Sequence, residues 1–84
     1  MNEVRFVVFI RRDCPFCINA ENTLREKNKD FKIVDFNDDQ ITILKEIQDM
    51  YNWKTVPMIF RREGNDIKFI GGYSDLVEFL ENNG

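Results

Sequence analysis

The sequence predicts an α/β fold: a four-stranded mixed sheet flanked by three helices that cover both of its faces. Three observations lead to this expectation. Runs of β-branched and aromatic residues have the length of strands, other segments repeat apolar residues at helical spacing, and a turn signal separates the last two runs. The resulting element order is β-α-β-α-β-β-α. The length of 84 residues suits one domain, which we expect to span residues 1–84.

The chain opens with a strand that we expect at the centre of the sheet. Residues 4–10 (VRFVVFI) are apolar on both faces of an extended chain, which is typical of a fully buried strand. Pro15 suits the first position of a helix, and residues 15–28 have helix-forming composition. The apolar side of this helix is predicted to carry Cys17, Ala20 and Leu24.

A second strand and a second helix are expected next. Residues 31–36 (FKIVDF) read as a strand, and the first two strands should be parallel because a helix connects them. The second helix is predicted over about residues 38–52, after several side chains that suit an N-cap. Its apolar positions at helical spacing are Ile41, Leu44, Ile47 and Tyr51.

The last third of the chain predicts a hairpin followed by a helix. Residues 58–62 form the third strand, with Pro57 at its entry, where a missing N–H is tolerated. Residues 63–66 (EGND) give the turn signal, and residues 67–70 give the fourth strand. Ser74 is expected to be the N-cap of the last helix.

Charge and hydropathy exclude several functional classes. The formal net charge of −3 argues against nucleic acid as a partner, because phosphate binding needs a concentrated basic face. The start of the sequence lacks the basic segment and cleavage site of a secretory signal, and no apolar run reaches the roughly 18 residues of a membrane helix. We therefore expect a soluble, cytoplasmic protein without a membrane partner. Structural disulfides are rare in that compartment, so the two cysteines need another explanation.

The pair Cys14 and Cys17 has the spacing of a redox-active dithiol. Three residues are about one helical turn, so both sulfurs lie on the same side of the helix within reach of a disulfide. Cys14 lies at the helix N-terminus, where free N–H groups stabilise a thiolate and lower the thiol pKa below its free value of about 8.5. Arg11 and Arg12 would add to this effect, and Asp13 would oppose it. Cys17, one turn further, is the expected resolving thiol.

Two simpler explanations of the cysteines compete with redox chemistry. Free cysteines often pack as small hydrophobic residues, but a C-x-x-C that opens the first helix of a βαβ unit is a known redox signature. A structural zinc ion needs four ligands, and the chain has two cysteines and no histidine. A single chain is therefore not expected to bind a metal. A metal or cluster shared between two chains stays open.

Three separated motifs now resemble those of glutaredoxins: CPFC at 14–17, TVP at 55–57 and GGYSDL at 71–76. The resemblance spans the whole chain and implies the thioredoxin-like fold of that family. It further implies glutathione as co-substrate, with Cys14 as the nucleophile that forms a mixed disulfide and Cys17 as the resolving cysteine. By the same resemblance, Pro57 is expected in the cis state.

The resemblance also assigns binding roles to single residues. Arg11 takes the place of a lysine that contacts the glycine carboxylate of glutathione, and Gln48 lies near the same carboxylate. The Val56 backbone would pair with the cysteinyl part. Ser74 and Asp75 would bind the γ-glutamyl end. The complete predicted glutathione-binding set is Arg11, Phe16, Gln48, Thr55, Val56, Pro57, Gly72, Ser74 and Asp75.

The function implied is glutathione-dependent reduction of protein disulfides and of glutathione mixed disulfides by a monomer. Ribonucleotide reductase is a common client of the family and therefore a candidate target. Two alternatives differ in partner: a thioredoxin-like reductant that is served by a reductase, and a dimer that carries an iron–sulfur cluster between two Cys14 thiolates and two glutathiones. A partner-binding domain without redox activity is disfavoured by the intact cysteine pair. Trp53 and Tyr73 are expected to serve packing rather than substrate binding.

Overall fold

The computed structural model describes residues 4–83, which contain four strands and three α-helices. The strands are β1 (Val4–Ile10), β2 (Phe31–Asp35), β3 (Met58–Glu63) and β4 (Asp66–Gly71). The helices are α1 (Pro15–Glu26), α2 (Ile41–Met50) and α3 (Tyr73–Asn83), and a 3-10 turn (Asp38–Gln40) precedes α2. The order is the predicted one, and the α/β fold class is confirmed.

The four strands form one mixed sheet in the order β2-β1-β3-β4. β1 is parallel to β2, with Val8 opposite Ile33, and antiparallel to β3, with Val7 opposite Phe60. β3 and β4 form the antiparallel hairpin. The apolar character of β1 on both faces follows from this position, since a central strand is covered on both sides.

Alternate residues of β1 face two separate hydrophobic clusters. Phe6 and Val8 pack between the sheet and the helices α1 and α3, whereas Val7 and Phe9 pack on the side of α2. The buried residues of the first cluster are Phe6, Val8, Ala20, Leu24, Ile59, Leu76 and Leu80. Those of the second are Phe36, Leu44, Met58 and Phe60. The helices therefore cover both faces, and none within residues 4–83 is long and apolar enough to cross a membrane.

The predicted second helix is shorter than expected. Asn37 forms a capping box with Gln40: the Asn37 side chain accepts from the N–H of Asp39, and the Gln40 side chain accepts from the N–H of Asn37. This local pairing produces the 3-10 turn, and α2 starts only at Ile41. Tyr51 was predicted on the apolar face of the helix but lies just beyond its end.

The N-cap of the last helix was also wrongly predicted. Gly72, and not Ser74, occupies this position, because the Gly72 carbonyl accepts the first helical hydrogen bond from the N–H of Leu76 at 3.0 Å. Asp75 reaches back, and its Oδ2 accepts from the N–H of Gly72 at 2.9 Å. The side chain that stabilises the helix start is thus three residues inside the helix, and Ser74 lies in the first turn.

Candidate active site

Cys14 and Cys17 are joined by a disulfide at the N-terminus of α1, with their Cα atoms 5.2 Å apart. Cys14 is the N-cap, and its Sγ accepts a hydrogen bond from the backbone N–H of Cys17 at 3.1 Å. The two sulfurs differ in access: Cys17 is 3% exposed, whereas Cys14 is partly exposed. Cys14 is therefore the more accessible of the two cysteines, as the sequence predicted.

The backbone before the cysteines turns sharply to start the helix. Asp13 has a φ of 56°, a left-handed conformation in which aspartate is among the more tolerated side chains. Pro15 follows at the first helical positions, where its missing N–H costs nothing. This turn connects the end of β1 to the start of α1 and so places Cys14 at the N-terminus of the helix.

A groove of about 360 Å³ opens beside Cys14. Its wall is formed by Phe16, Trp53, Thr55, Val56, Pro57, Gly72, Tyr73, Ser74 and Asp75. The Val56–Pro57 peptide bond is cis, as the family resemblance implied. The carbonyl oxygen of Val56 lies 3.7 Å from Cys14 Sγ, so this stretch of backbone borders the reactive sulfur. Seven of the predicted glutathione-binding residues thus share one groove, and their role in binding stays a prediction.

The far end of the groove is the N-terminus of α3. The first N–H groups of a helix lack intrahelical partners and favour a negatively charged ligand. Gly71 approaches this helix closely with a φ of 131°, and a Cβ at this position would collide with the Asp75 carboxylate. The glycine therefore allows Asp75 to bond the N–H of Gly72.

Three aromatic side chains line the groove, of which two were not predicted as site residues. Phe16 is 60% exposed, and its ring centroid lies 6.2 Å from that of Tyr73. Trp53 is partly buried, and its indole N–H is buried without a hydrogen-bond partner within residues 4–83. Trp53 and Tyr73 were expected to serve packing alone. Their closeness to TVP and GGYSDL in the sequence was the signal that could have placed them at the groove.

Arg11 lies on a different side of the cysteines from the groove. Together with Arg12, Cys14 and Cys17 it lines a second cavity of about 290 Å³. Its guanidinium donates to the Phe36 carbonyl at 2.6 Å and to Asp38 Oδ1 at 2.9 Å. The predicted contact of Arg11 with a ligand carboxylate therefore involves a side chain that already has two acceptors.

Asp38 is the centre of this charge cluster. Its second oxygen, Oδ2, accepts from Arg12 at 2.9 Å, so one carboxylate binds both arginines. The hydrogen bond from Arg11, and then the positive charge of Arg12, hold the pKa of Asp38 below its ordinary value. Asp38 was not predicted as a site residue, because nothing in the neighbouring sequence indicates which of the acidic residues an arginine would reach.

Gln48 is also engaged within the chain. Its side-chain amide donates to the carbonyl of Thr55 at 3.2 Å. This bond joins α2 to the segment that forms the groove, but Gln48 itself is not among the residues of the groove wall. Its predicted contact with glutathione stays a prediction. Within residues 4–83, no three His, Cys, Asp or Glu side chains are grouped to hold a metal ion.

A four-stranded mixed sheet, three helices and a C-x-x-C at the start of the first helix define a thioredoxin-like protein with a redox-active disulfide. The glutaredoxin family model matches residues 6–64. A probable glutaredoxin of Acanthamoeba polyphaga mimivirus is 33% identical over 86 residues, covering 90% of this chain and 77% of the relative. The chain therefore belongs to the glutaredoxin family, whose members use glutathione as a reductant.

Two solved structures have a similar fold, and one of them also supports the family assignment. A dithiolic glutaredoxin of Trypanosoma brucei brucei matches with a TM-score of 0.73 and 32% identity, over 92% of this chain and 77% of the other. Glutaredoxin 1 of Francisella tularensis matches with a TM-score of 0.75 over 94% of both chains. The identity to the latter is 24%, so this second comparison supports the fold alone.

Proposed function

We propose that this protein is a glutathione-dependent thiol–disulfide oxidoreductase that reduces glutathione mixed disulfides and protein disulfides through Cys14 and Cys17. The observation that carries the proposal is the unequal access of the two sulfurs beside an open groove. Cys14 is partly exposed and borders the groove, whereas Cys17 is 3% exposed. Family membership supports glutathione as the reductant.

The first step is attack by the Cys14 thiolate on a glutathione mixed disulfide. The N–H of Cys17 that bonds Cys14 Sγ, together with the start of α1, stabilises the negative charge on this sulfur. A Cys14–glutathione disulfide forms, the target sulfur leaves as a thiolate, and it then takes up a proton. A second glutathione thiolate attacks the adduct, which releases glutathione disulfide and restores the Cys14 thiolate.

Protein disulfides need the second cysteine. Cys14 attacks one sulfur of the target disulfide and forms a mixed disulfide with the protein, while the other target sulfur leaves as a thiolate. The Cys17 thiolate then attacks Cys14 Sγ, which frees the second target thiol and leaves the Cys14–Cys17 disulfide. The Cα separation of 5.2 Å fits this closed state. Two glutathione molecules reduce it again and become glutathione disulfide.

Serine substitutions separate the two routes. Cys14→Ser is expected to abolish turnover of a glutathionylated peptide in an assay with glutathione, glutathione reductase and NADPH. Cys17→Ser is expected to retain that turnover but to lose reduction of a protein disulfide. Full activity of Cys14→Ser would refute the proposal. Activity with thioredoxin reductase in the absence of glutathione would support the thioredoxin-like alternative instead.

The compartment and the assembly state are part of the same proposal. We propose that the protein acts as a monomer in the cytoplasm, where a reducing glutathione pool keeps Cys14 available as a thiolate. Ribonucleotide reductase is the candidate protein target that the family resemblance suggests. Its glutathione-dependent turnover with this protein as the electron donor is the direct measurement, and sedimentation of the reduced protein gives the assembly state.

A further inference from the structure

The carboxylate of Asp38 forms ion pairs with both arginines that precede Cys14, Arg11 and Arg12. Asp38 Oδ1 binds Arg11 and Asp38 Oδ2 binds Arg12, each at 2.9 Å. The Arg11 side chain is 19% exposed, whereas those of Arg12 and Asp38 are 70% and 62% exposed. The cluster therefore combines a largely buried arginine side chain, Arg11, with an acid that is open to solvent.

The same arginines border the space next to the cysteines. Arg11, Arg12, Cys14 and Cys17 contribute to one cavity of about 290 Å³. Asp13 and Glu21 also line the cavity, and neither changes when Asp38 is substituted. A carboxylate that enters the cavity on a substrate or reagent would find two guanidinium groups, the side chains best suited to bind it. However, each guanidinium already donates one N–H to Asp38.

We propose that Asp38 is a specificity-determining residue: an internal carboxylate that competes with substrate carboxylates for Arg11 and Arg12 and so lowers the preference of Cys14 for anionic partners. The inference rests on the proposed function only in taking Cys14 as the reacting thiol. It predicts that neutralising Asp38 changes how strongly the charge of a substrate affects the rate of its reaction with Cys14.

The contacts indicate that Asp38 competes for the arginines and is not needed to hold Arg11 or the 3-10 turn in place. Arg11 has a second, shorter bond to the Phe36 carbonyl at 2.6 Å, which keeps the guanidinium in place when Asp38 is changed. The backbone around Asp38 is held by the capping box of Asn37 and Gln40, which does not involve the Asp38 side chain. Removing the carboxylate therefore exposes donors without releasing the arginine or the turn.

Two alkylating reagents that differ in charge measure this effect directly. In both reactions the Cys14 thiolate forms an S–C bond with the reagent and iodide leaves. Iodoacetate carries a carboxylate and iodoacetamide does not, so the ratio of their rate constants reports how strongly the surroundings of Cys14 favour an anion. In the reduced Asp38→Asn variant we expect this ratio to rise about two- to fivefold, the size of effect that one partly screened charge contact gives.

Asp39→Asn is the matched control. Asp39 is the next residue and carries the same charge, but its side chain forms no hydrogen bond or ion pair within the part of the chain that the structure describes. We expect its ratio to stay close to that of the unmodified protein. Mass spectrometry of the modified peptide confirms that Cys14 is the alkylated residue, and circular dichroism confirms that each variant is folded.

The proposal is overturned when the ratio for Asp38→Asn is unchanged or lower, or when Asp39→Asn raises it equally. Asp38→Ser removes the same charge and carries the test if the asparagine variant does not fold. In an Arg11→Gln/Arg12→Gln background, neutralising Asp38 should have no greater effect than neutralising Asp39. No glutathione enters these reactions, so the result stands separately from the outcome of the glutathione-dependent assay.

Discussion

Among the residues near the groove, Gly71 is the one at which substitution by alanine should lower the free energy of unfolding the most. Its φ of 131° is unfavourable for any residue with a Cβ, at about 1–3 kcal/mol. In Gly71→Ala the new Cβ would also displace the Asp75 carboxylate and break its 2.9 Å bond to the N–H of Gly72, a bond to a charged group worth about 1.5–3 kcal/mol. The expected loss in the free energy of unfolding is therefore about 3 kcal/mol or more.

Thermal and urea unfolding of Gly71→Ala measure this loss. For a domain of this size, about 3 kcal/mol corresponds to a fall in melting temperature of about 12 °C or more. Gly64→Ala is the control, because Gly64 lies exposed in the hairpin turn with a φ of 60°, where alanine costs only about 1 kcal/mol. A melting temperature of Gly71→Ala no lower than that of the control would refute the reasoning.

The collision with Asp75 can be separated from the backbone cost by a double-mutant cycle. In an Asp75→Ala background the carboxylate is gone, and Gly71→Ala keeps only its unfavourable φ and the close approach to the Cβ of residue 75. The two changes should therefore couple by about 1–3 kcal/mol. Strictly additive free energies would mean that the alanine Cβ does not act through the carboxylate. The helix start would then tolerate the displacement of Asp75.

Two further predictions concern the charge cluster and the core. Because the pKa of Asp38 is lowered in the folded protein, its ionised form stabilises the fold above its ordinary pKa of about 3.8, and this contribution disappears as the pH falls through the folded value. Asp38→Asn should therefore have a lower melting temperature than the unmodified protein at about pH 7, and the difference should shrink as the pH falls below the ordinary pKa of Asp38. A difference that does not depend on pH would contradict this. Leu24→Ala should lower the free energy of unfolding by about 2–5 kcal/mol, because Leu24 is fully buried between α1 and the sheet. Ile18→Ala on the same helix, where the side chain is 59% exposed, should change it by less than about 1 kcal/mol in urea unfolding.

Periodicity was sufficient to predict the elements that bury a continuous apolar face. The strand Val4–Ile10 was predicted with the bounds that the structure gives, because an apolar run on both faces has few uses other than a central strand. The side of α1 that carries Cys17, Ala20 and Leu24 is buried as expected. These features depend on the spacing of residues along one segment, which the sequence contains directly.

The errors arose where a few hydrogen bonds decide between similar local structures. Asn37 and Gln40 form a capping box that produces a 3-10 turn where a continuous helix was predicted. Asp75 bonds the N–H of Gly72 and so shifts the start of α3. The spacing of apolar residues is nearly the same for a continuous helix and for a shorter helix preceded by a 3-10 turn. It therefore does not show at which residue the helix starts. Such side-chain bonds to the backbone compete with regular helix formation at chain ends.

The least predictable part of the site is the pairing of charges between distant segments. Arg11 and Asp38 are separated by 27 positions, and the sequence offers Arg11 many other acidic residues of similar type. Only the parallel pairing of β1 with β2 brings the two following loops together, so that the guanidinium meets this particular carboxylate. Family resemblance could suggest what Arg11 binds in a complex, but not what it binds in the free chain.

The predicted glutathione-binding residues therefore differ in what a ligand must displace. At the start of α3, Gly71 and Asp75 are held by close contact, and the groove is open beside them. Arg11 and Gln48 are not part of the groove wall, and both already donate to acceptors of the chain itself. A carboxylate that binds Arg11 gains only the difference between its own bonds and those that it replaces. Charge selectivity at Cys14 should consequently depend as much on Asp38 as on the arginines.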